Sequence, residues 1–331
     1  MRGSHTRELV ARLFDRRPAW RDEAIFEAAA AELDRLVPGV GPLPDRLATW
    51  DEGLVVAVER VAPVVEWLVA RFRERAARLI GLPEGEALRV STVRGQPWNA
   101  YNWYDGGLRS RVDINLDLPI RAPDLARTVA HETYPGHHLE HATKEATLVE
   151  RGGCLEASVL LINTPECLVS EGLAEAGVRF VVPPDEETGL LAELFERAAV
   201  PAATSVPAAT SGPAAREAAG LASAIGRARR RLGEVAVNAA LLRHAQGAGL
   251  DAVGAYLRRH GLLTPERAAK RLEFIEHPLW RTYVFVYPEG EALVERWLDA
   301  VPAPEQPARF GRLLREAITP ASILAEIPDG V

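Results

Sequence analysis

Apolar positions recur at helical spacing along most of the chain. Leu54, Val55, Val58, Val61, Val65, Leu68 and Phe72 fall on one face of a helix over 53–80. Similar spacing predicts helices over 22–36, 124–134, 137–148, 165–180, 186–199, 214–246, 265–276 and 289–299, with a Pro/Gly connector from Val37 to Asp45. A period of two appears in only one region. LRVSTVR (88–94) and LRSRVDINLDL (108–118) are strand-like, the second alternating Val112, Ile114, Leu116 and Leu118 with polar residues. Between them, QPWNAYNWYDGG carries four aromatics and turn chemistry at Asp105-Gly106-Gly107. The pattern predicts a mainly α protein with a small β-sheet or hairpin next to the helix at 124–134. Residues 1–87 form an N-terminal helical region, and 88–331 hold the candidate chemistry in what reads as the same compact unit. VPAATS at 200–205 is repeated at 206–211, so 200–213 is expected to be a mobile Pro/Ala-rich loop.

Composition narrows the function classes. With 331 residues, 47% of them hydrophobic, the chain can bury a sizeable core. The net charge of −7 is spread over interleaved acids and bases, which leaves no basic patch for nucleic acid. No run of eighteen apolar residues exists, so no membrane partner is expected, and the opening MRGSHTREL lacks the apolar core of a secretory signal. The two cysteines, Cys154 and Cys167, therefore read as buried free thiols in a cytoplasmic protein.

The candidate chemistry lies in TVAHETYPGHHLEHATKE (128–145), which holds four of the eight histidines: His131, His137, His138 and His141. Imidazole is the commonest metal ligand, and a His-Glu pair followed within two turns by further His is how zinc hydrolases present ligands and base together. The spacing is not H-E-x-x-H, because Pro135 stands where the second His belongs. A straight helix turns His137 off the His131 face, so both reach one ion only across a backbone break, which Pro135 and Gly136 permit. His138 stays on the His131 face but roughly 10 Å further along the axis, and remains a rival second ligand. His141 is expected to be an exposed bystander. A third ligand is offered by the predicted helix PECLVSEGLAEAGVRF (165–180), where Glu171 sits in a small, apolar run. Glu175, one turn on, suits a role holding a ligand imidazole.

These motifs resemble the bacterial family called domain of unknown function 885, whose members show H-E-x-x-P-G-H-H and then E-G-W-A-x-x-x-E. Here the segments read H-E-T-Y-P-G-H-H and E-G-L-A-E-A, and the likeness spans about residues 88–300. That family resembles Glu-ligated zinc peptidases such as angiotensin-converting enzyme, thimet-type oligopeptidases and thermostable carboxypeptidases, with motif H-E-x-G-H. The resemblance implies a metallopeptidase-like region holding Zn2+ on His131, His137 and Glu171, with Glu132 as general base and His138 beside the substrate. RTYVFVYPEGEAL (281–293) resembles the family element R-Y-x-x-x-P-G-Q-A, with Glu289 added and Glu291 in place of Gln. It implies that Tyr283 donates to the oxyanion and that Arg281 and Tyr287 contact substrate. In the related peptidases an edge strand next to the motif helix pairs with substrate, which would make 108–118 that edge and let Trp98, Trp103 and Tyr104 line the cleft. Leu173 replaces the family's Trp, and the chain is shorter than typical members. The expected function is a zinc metallopeptidase acting on a peptide or other small amide. The alternatives are a zinc hydrolase of non-peptide amides or esters and a non-catalytic metal-binding or structural helical protein.

Overall fold

A computed structural model describes residues 2–96, 98–200 and 213–328. The predicted loop at 200–213 lies almost wholly outside the described residues. Four helices come first: α1 (Arg2–Phe14), α2 (Glu23–Leu36), α3 (Leu43–Glu52) and α4 (Val58–Leu79). A small sheet follows, of β1 (Ala87–Val93), β2 (Ala100–Gly106) and β3 (Arg109–Asn115). Next come α5 (Ala122–Glu132), α6 (His137–Lys144), which runs on as a π-helical stretch over Glu145–Arg151, α7 (Pro165–Val181) and α8 (Glu187–Ala198). The rest is α9 (Pro213–Leu232), α10 (Val235–His244), α11 (Leu250–Gly261), α12 (Pro265–Glu276), α13 (Val286–Asp299), α14 (Gln306–Arg315) and α15 (Pro320–Glu326). The protein is mainly α with one small sheet, as the periodicity predicted.

Several boundaries differ. The predicted helix at 214–246 is two helices broken at Gly233-Glu234, and the 53–80 helix starts at Val58, with α3 occupying the end of the expected connector. No signal was read for α1, α11, α14 or α15. One continuous apolar core runs from Val10 to Ile327, and α4 packs on α5, α7 and α8, so residues 1–87 share the core of the rest.

Helix α7 is the axis of the site. Thr164 caps it by accepting from Cys167 N, and Pro165 fits the first turn, where its missing N–H is not needed. Almost every side chain from Leu168 to Val181 is buried, Leu173 included, as expected of a helix enclosed on all sides. Its closest neighbour is α13. A Cβ on Gly172 would lie 2.3 Å from Gly290 O, and one on Gly290 2.4 Å from Leu168 O, so only glycine at both positions lets the two backbones meet.

The sheet order is β1-β3-β2, with β1 parallel and β2 antiparallel to β3. This corrects the edge assignment: 108–118 supplies the central strand, and its Val112 and Ile114 are buried. The edge beside the motif helices is β2, from the stretch read as a turn. Asn102 Nδ2 donates to Glu132 O at 2.7 Å, fastening that edge to the end of α5.

Candidate metal centre

The break between His131 and His137 has a definite form. Helix α5 ends at Glu132, the Tyr134-Pro135 peptide bond is cis, and α6 starts at His137 with Gly136 before it. Gly136 N donates to Ala130 O at 3.2 Å, and a Cβ at Gly136 would lie 1.8 Å from His131 O. Only glycine allows the chain to fold back this tightly. The result brings the two imidazoles together with ring centroids 4.7 Å apart and planes at 89°.

Glu171 rises from α7 between them. Its Oε2 is 3.2 Å from His131 Nε2, and its Oε1 is 3.5 Å from His137 Nε2. One ligand atom from each of the three residues lies within 4.8 Å of the others. Two atoms each about 2.1 Å from a tetrahedral ion lie about 3.4 Å apart, so these separations match a zinc ligand set. Glu171 Oε2 is buried without a hydrogen-bond partner, which in a low-dielectric interior is costly unless an ion or proton completes it. His131, His137 and Glu171 therefore fit the metal implied by the motif and are the residues that would hold it.

Each imidazole has a carboxylate beside its Nδ1, although His131 Nδ1 itself makes no hydrogen bond and that of His137 meets Ser170 rather than the carboxylate. His131 Nδ1 lies 3.2 Å from Glu175 Oε1, and Glu175 is held in turn by Arg127 at 3.0 Å. His137 Nδ1 is 3.3 Å from Ser170 Oγ and 3.7 Å from Glu140 Oε2. Glu140 is itself buried, accepting from Ser170 at 2.5 Å and from Lys144 at 2.7 Å. Such partners fix the tautomer and plane of a ligating imidazole and raise its basicity. Glu175 was expected in this role. Glu140 was missed, although an acid three residues after His137 was a readable signal.

Electrostatics follow from the packing. Burial alone would lower the His137 pKa, but Glu171, Glu140 and their hydrogen bonds push it up to about 10, and His131 is raised well above its ordinary value by Glu171 and Glu175. Burial alone would raise the carboxylates; the imidazoles hold Glu171 far below its ordinary range and Glu175 at about 2. Glu132 is raised, by burial first, with His131 and His137 opposing. Its carboxylate has no hydrogen-bond partner among the described residues, which leaves it free to take a proton.

Tyr283 donates from Oη to Glu171 Oε1 at 2.6 Å, and Cys167 Sγ is 3.4 Å from the same hydroxyl. Burial, then Glu171, raises the Tyr283 pKa far beyond its ordinary value, so the phenol stays a donor. Tyr287 packs edge-on to Tyr283 with centroids 5.5 Å apart and lies 6.3 Å from the His131 ring. Arg281 is exposed, and no hydrogen bond or ion pair among the described residues joins it to the cluster.

Three expectations are corrected. His138 is not a ligand and does not face substrate: it is fully buried, with Nδ1 2.8 Å from Ser110 Oγ and Nε2 2.8 Å from Glu86 Oε2, so both nitrogens are engaged. Glu86 also accepts from Tyr134 at 2.5 Å and Arg73 at 2.8 Å, pinning the turn from behind. His141 is half-buried rather than an exposed bystander, stacked 5.8 Å from His137 at 6° and 5.4 Å from Tyr104, with burial pulling its pKa to about 4. His137, Glu140 and His141 also bring ligand-type atoms within 4.8 Å of one another. Cys154 is exposed and Cys167 only partly buried, its thiol pushed up to about 12, chiefly by burial.

On β2, Tyr101 stands between Trp98 and Trp103, with centroids 5.6 and 4.5 Å away. Burial first, then Glu132 and Glu171, raises the Tyr101 pKa, so this unpredicted aromatic is the one that senses the centre. Trp103 turns to Asp113 at 2.9 Å, and Tyr104 donates to Glu145.

No family model matches the chain, and no curated protein matches it. Among solved structures, one from Colwellia psychrerythraea, whose name assigns it provisionally to the lipoproteins, is similar over 98% of this chain and 54% of its own, with TM-score 0.65 and 14% identity. At that identity the likeness is one of fold alone. The chain spans about half the length of that structure. No helix of the described residues is long and apolar enough to cross a membrane.

Proposed function

We propose that this chain is a zinc-dependent hydrolase that cleaves peptide bonds, as a relative of the domain of unknown function 885 family. The observation that carries the reading is the buried, unpartnered Glu171 Oε2 facing His131 Nε2, with His137 Nε2 against the same carboxylate. Three ligand-type atoms within 4.8 Å of one another, two of them on imidazoles with a carboxylate beside the second nitrogen, suit a catalytic zinc site.

Bound by these residues, zinc supplies Lewis-acid polarisation of a carbonyl and acidifies water. Glu132, adjacent to a ligand and free of partners, takes the proton of the attacking water and delivers it to the departing amine. Its raised proton affinity suits both halves of that exchange. Tyr283, kept protonated, donates to negative charge developing on the carbonyl oxygen once its hydroxyl swings from Glu171. The edge of β2 is placed to pair with an extended substrate backbone, since Asn102 ties this strand to the end of α5.

The test uses protein purified without an affinity metal column. Stoichiometric zinc, chelator-sensitive cleavage of a peptide library, and a Glu132→Gln variant that keeps zinc but loses about 100- to 10,000-fold in kcat are expected. Stoichiometric zinc without turnover of any peptide would assign the chain instead to metal binding alone, and turnover of esters or non-peptide amides only would redirect the substrate.

A further inference from the structure

A cavity of about 470 Å³ opens between α5, α7, α8, α9 and α13, on the side of His131 away from Glu171. His131 turns Nε2 to Glu171 and Nδ1 to Glu175, and Glu175 lines the cavity together with its partner Arg127. An occupant there leaves the candidate ligand atoms clear. The volume falls in the usual range for small-molecule sites, and Ala126, Val178, Leu191 and Ile225, all buried, give the cavity an apolar floor.

Most of the charge around this floor is already paired. Arg121 meets Asp51 and Asp124, Arg229 meets Asp51, Arg179 meets Glu295, Arg227 meets Glu187, and Arg127 holds Glu175 at 3.0 Å. Two lining groups are left over. Arg230 has no hydrogen bond or ion pair among the described residues, and its guanidinium folds back along α9 until Nη1 lies 3.8 Å from the point that a Cβ on Gly226, another lining residue, would occupy. Among the described residues Glu291 finds only Arg127, at 3.9 Å and already engaged by Glu175. Arg230 and Glu291 act on each other electrostatically, yet no ion pair joins them, so a gap separates a cation from an acid. Burial, then the charges of Glu175 and Glu295, push the Glu291 pKa up to about 7, which a cation at its side would relieve.

We infer that the cavity binds a free α-amino acid with an apolar side chain, its carboxylate on Arg230, its ammonium on Glu291 and its side chain on the apolar floor. One small zwitterion supplies both missing counter-charges across the gap, which a simple anion or a simple amine does not. A guanidinium matches the two oxygens of a carboxylate, a carboxylate accepts from an ammonium, and the floor takes up the hydrocarbon. The site does not depend on turnover: an amino acid binds there whether or not the chain hydrolyses peptides.

Calorimetric titration of the whole chain as purified, at about pH 8 so that Glu291 is ionised, takes L-leucine, isocaproate, isoamylamine and glycine as probes. The three analogues lack the ammonium, the carboxylate and the side chain of leucine in turn. Each should bind about 10- to 100-fold more weakly than leucine. Arg230→Gln should bring leucine down to the affinity that isoamylamine has for the unaltered chain, with Arg230→Lys recovering part of the loss. Glu291→Gln should bring it down to the level of isocaproate. Leucine that binds the unaltered chain no better than any one of its analogues, or not at all at about millimolar concentration, overturns the assignment whatever the variants do. Leucine binding that survives both substitutions, as chelation of a bound metal would, overturns it too.

Discussion

Tyr283 and Glu171 share a hydrogen bond of 2.6 Å, so the phenol proposed to serve the reacting carbonyl rests on the proposed third metal ligand. Under the proposed mechanism the bond gives Tyr283 two roles, orienting a ligand and then stabilising charge. Tyr283→Phe should therefore lower kcat by about 100-fold, the loss typical of one oxyanion donor, and weaken zinc binding as well. Steady-state kinetics and zinc competition with a chelator measure the two. Unchanged zinc affinity would show that the bond does not steady Glu171.

Zinc affinity should rise with pH. Without metal, His137 titrates at about 10 and His131 is also raised, so both are protonated at neutral pH, whereas a ligand imidazole must be neutral. Binding then releases protons, and below the raised values each imidazole contributes about one log unit of affinity per pH unit gained. Glu171, held low by the same imidazoles, contributes nothing in this range. Calorimetry at pH 7 in buffers of different ionisation enthalpy should count about two protons released. A count of zero contradicts the charge state derived from the geometry.

Glu140 is the less obvious orienting carboxylate. Glu140→Ala leaves His137 Nδ1 with only Ser170 and should weaken zinc about 10- to 100-fold, in the range found for outer-shell partners. Lys144→Met, which removes the counter-charge but not the carboxylate, should weaken it less. Equal losses in the two variants would assign the effect to charge balance instead of orientation.

The turn between the ligands leaves no room for a side chain. Gly136→Ala would place a methyl 1.8 Å from His131 O, against backbone that cannot rotate away. A loss of about 3 kcal/mol follows, or a Tm lower by about 4 °C by calorimetry. Zinc should also be lost, because the clash is with the carbonyl of a ligand. Retained stability with lost zinc would show the turn to be malleable.

The sequence made the candidate ligands legible because the histidines lie close together and because Glu171 sits in a small, largely apolar run, Ser-Glu-Gly-Leu-Ala. Glycine at 136 and proline at 135 announced the break. What it did not convey was direction. His137 and His138 are adjacent, and which one joins His131 and Glu171 depends on Glu86 and Ser110, distant in the chain, which draw His138 into the interior. β2 was hidden for a related reason: Tyr101, Asn102, Trp103 and Tyr104 show no apolar alternation, because the strand lies at an edge and both of its faces carry polar-tipped side chains. Its parallel partner relation, β1 with β3, is a long-range pairing that no local pattern encodes.

Gly172 and Gly290, pressed backbone to backbone, make α7 and α13 one lever. Glu171 rides on one arm, and Tyr283 stands just before the other. The two arms cannot be drawn apart without parting those backbones, so movement that admits a substrate must come from elsewhere, such as the β2 edge with its aromatic row. Substitutions that alter turnover through motion belong on that edge, and the α7–α13 floor should hold still.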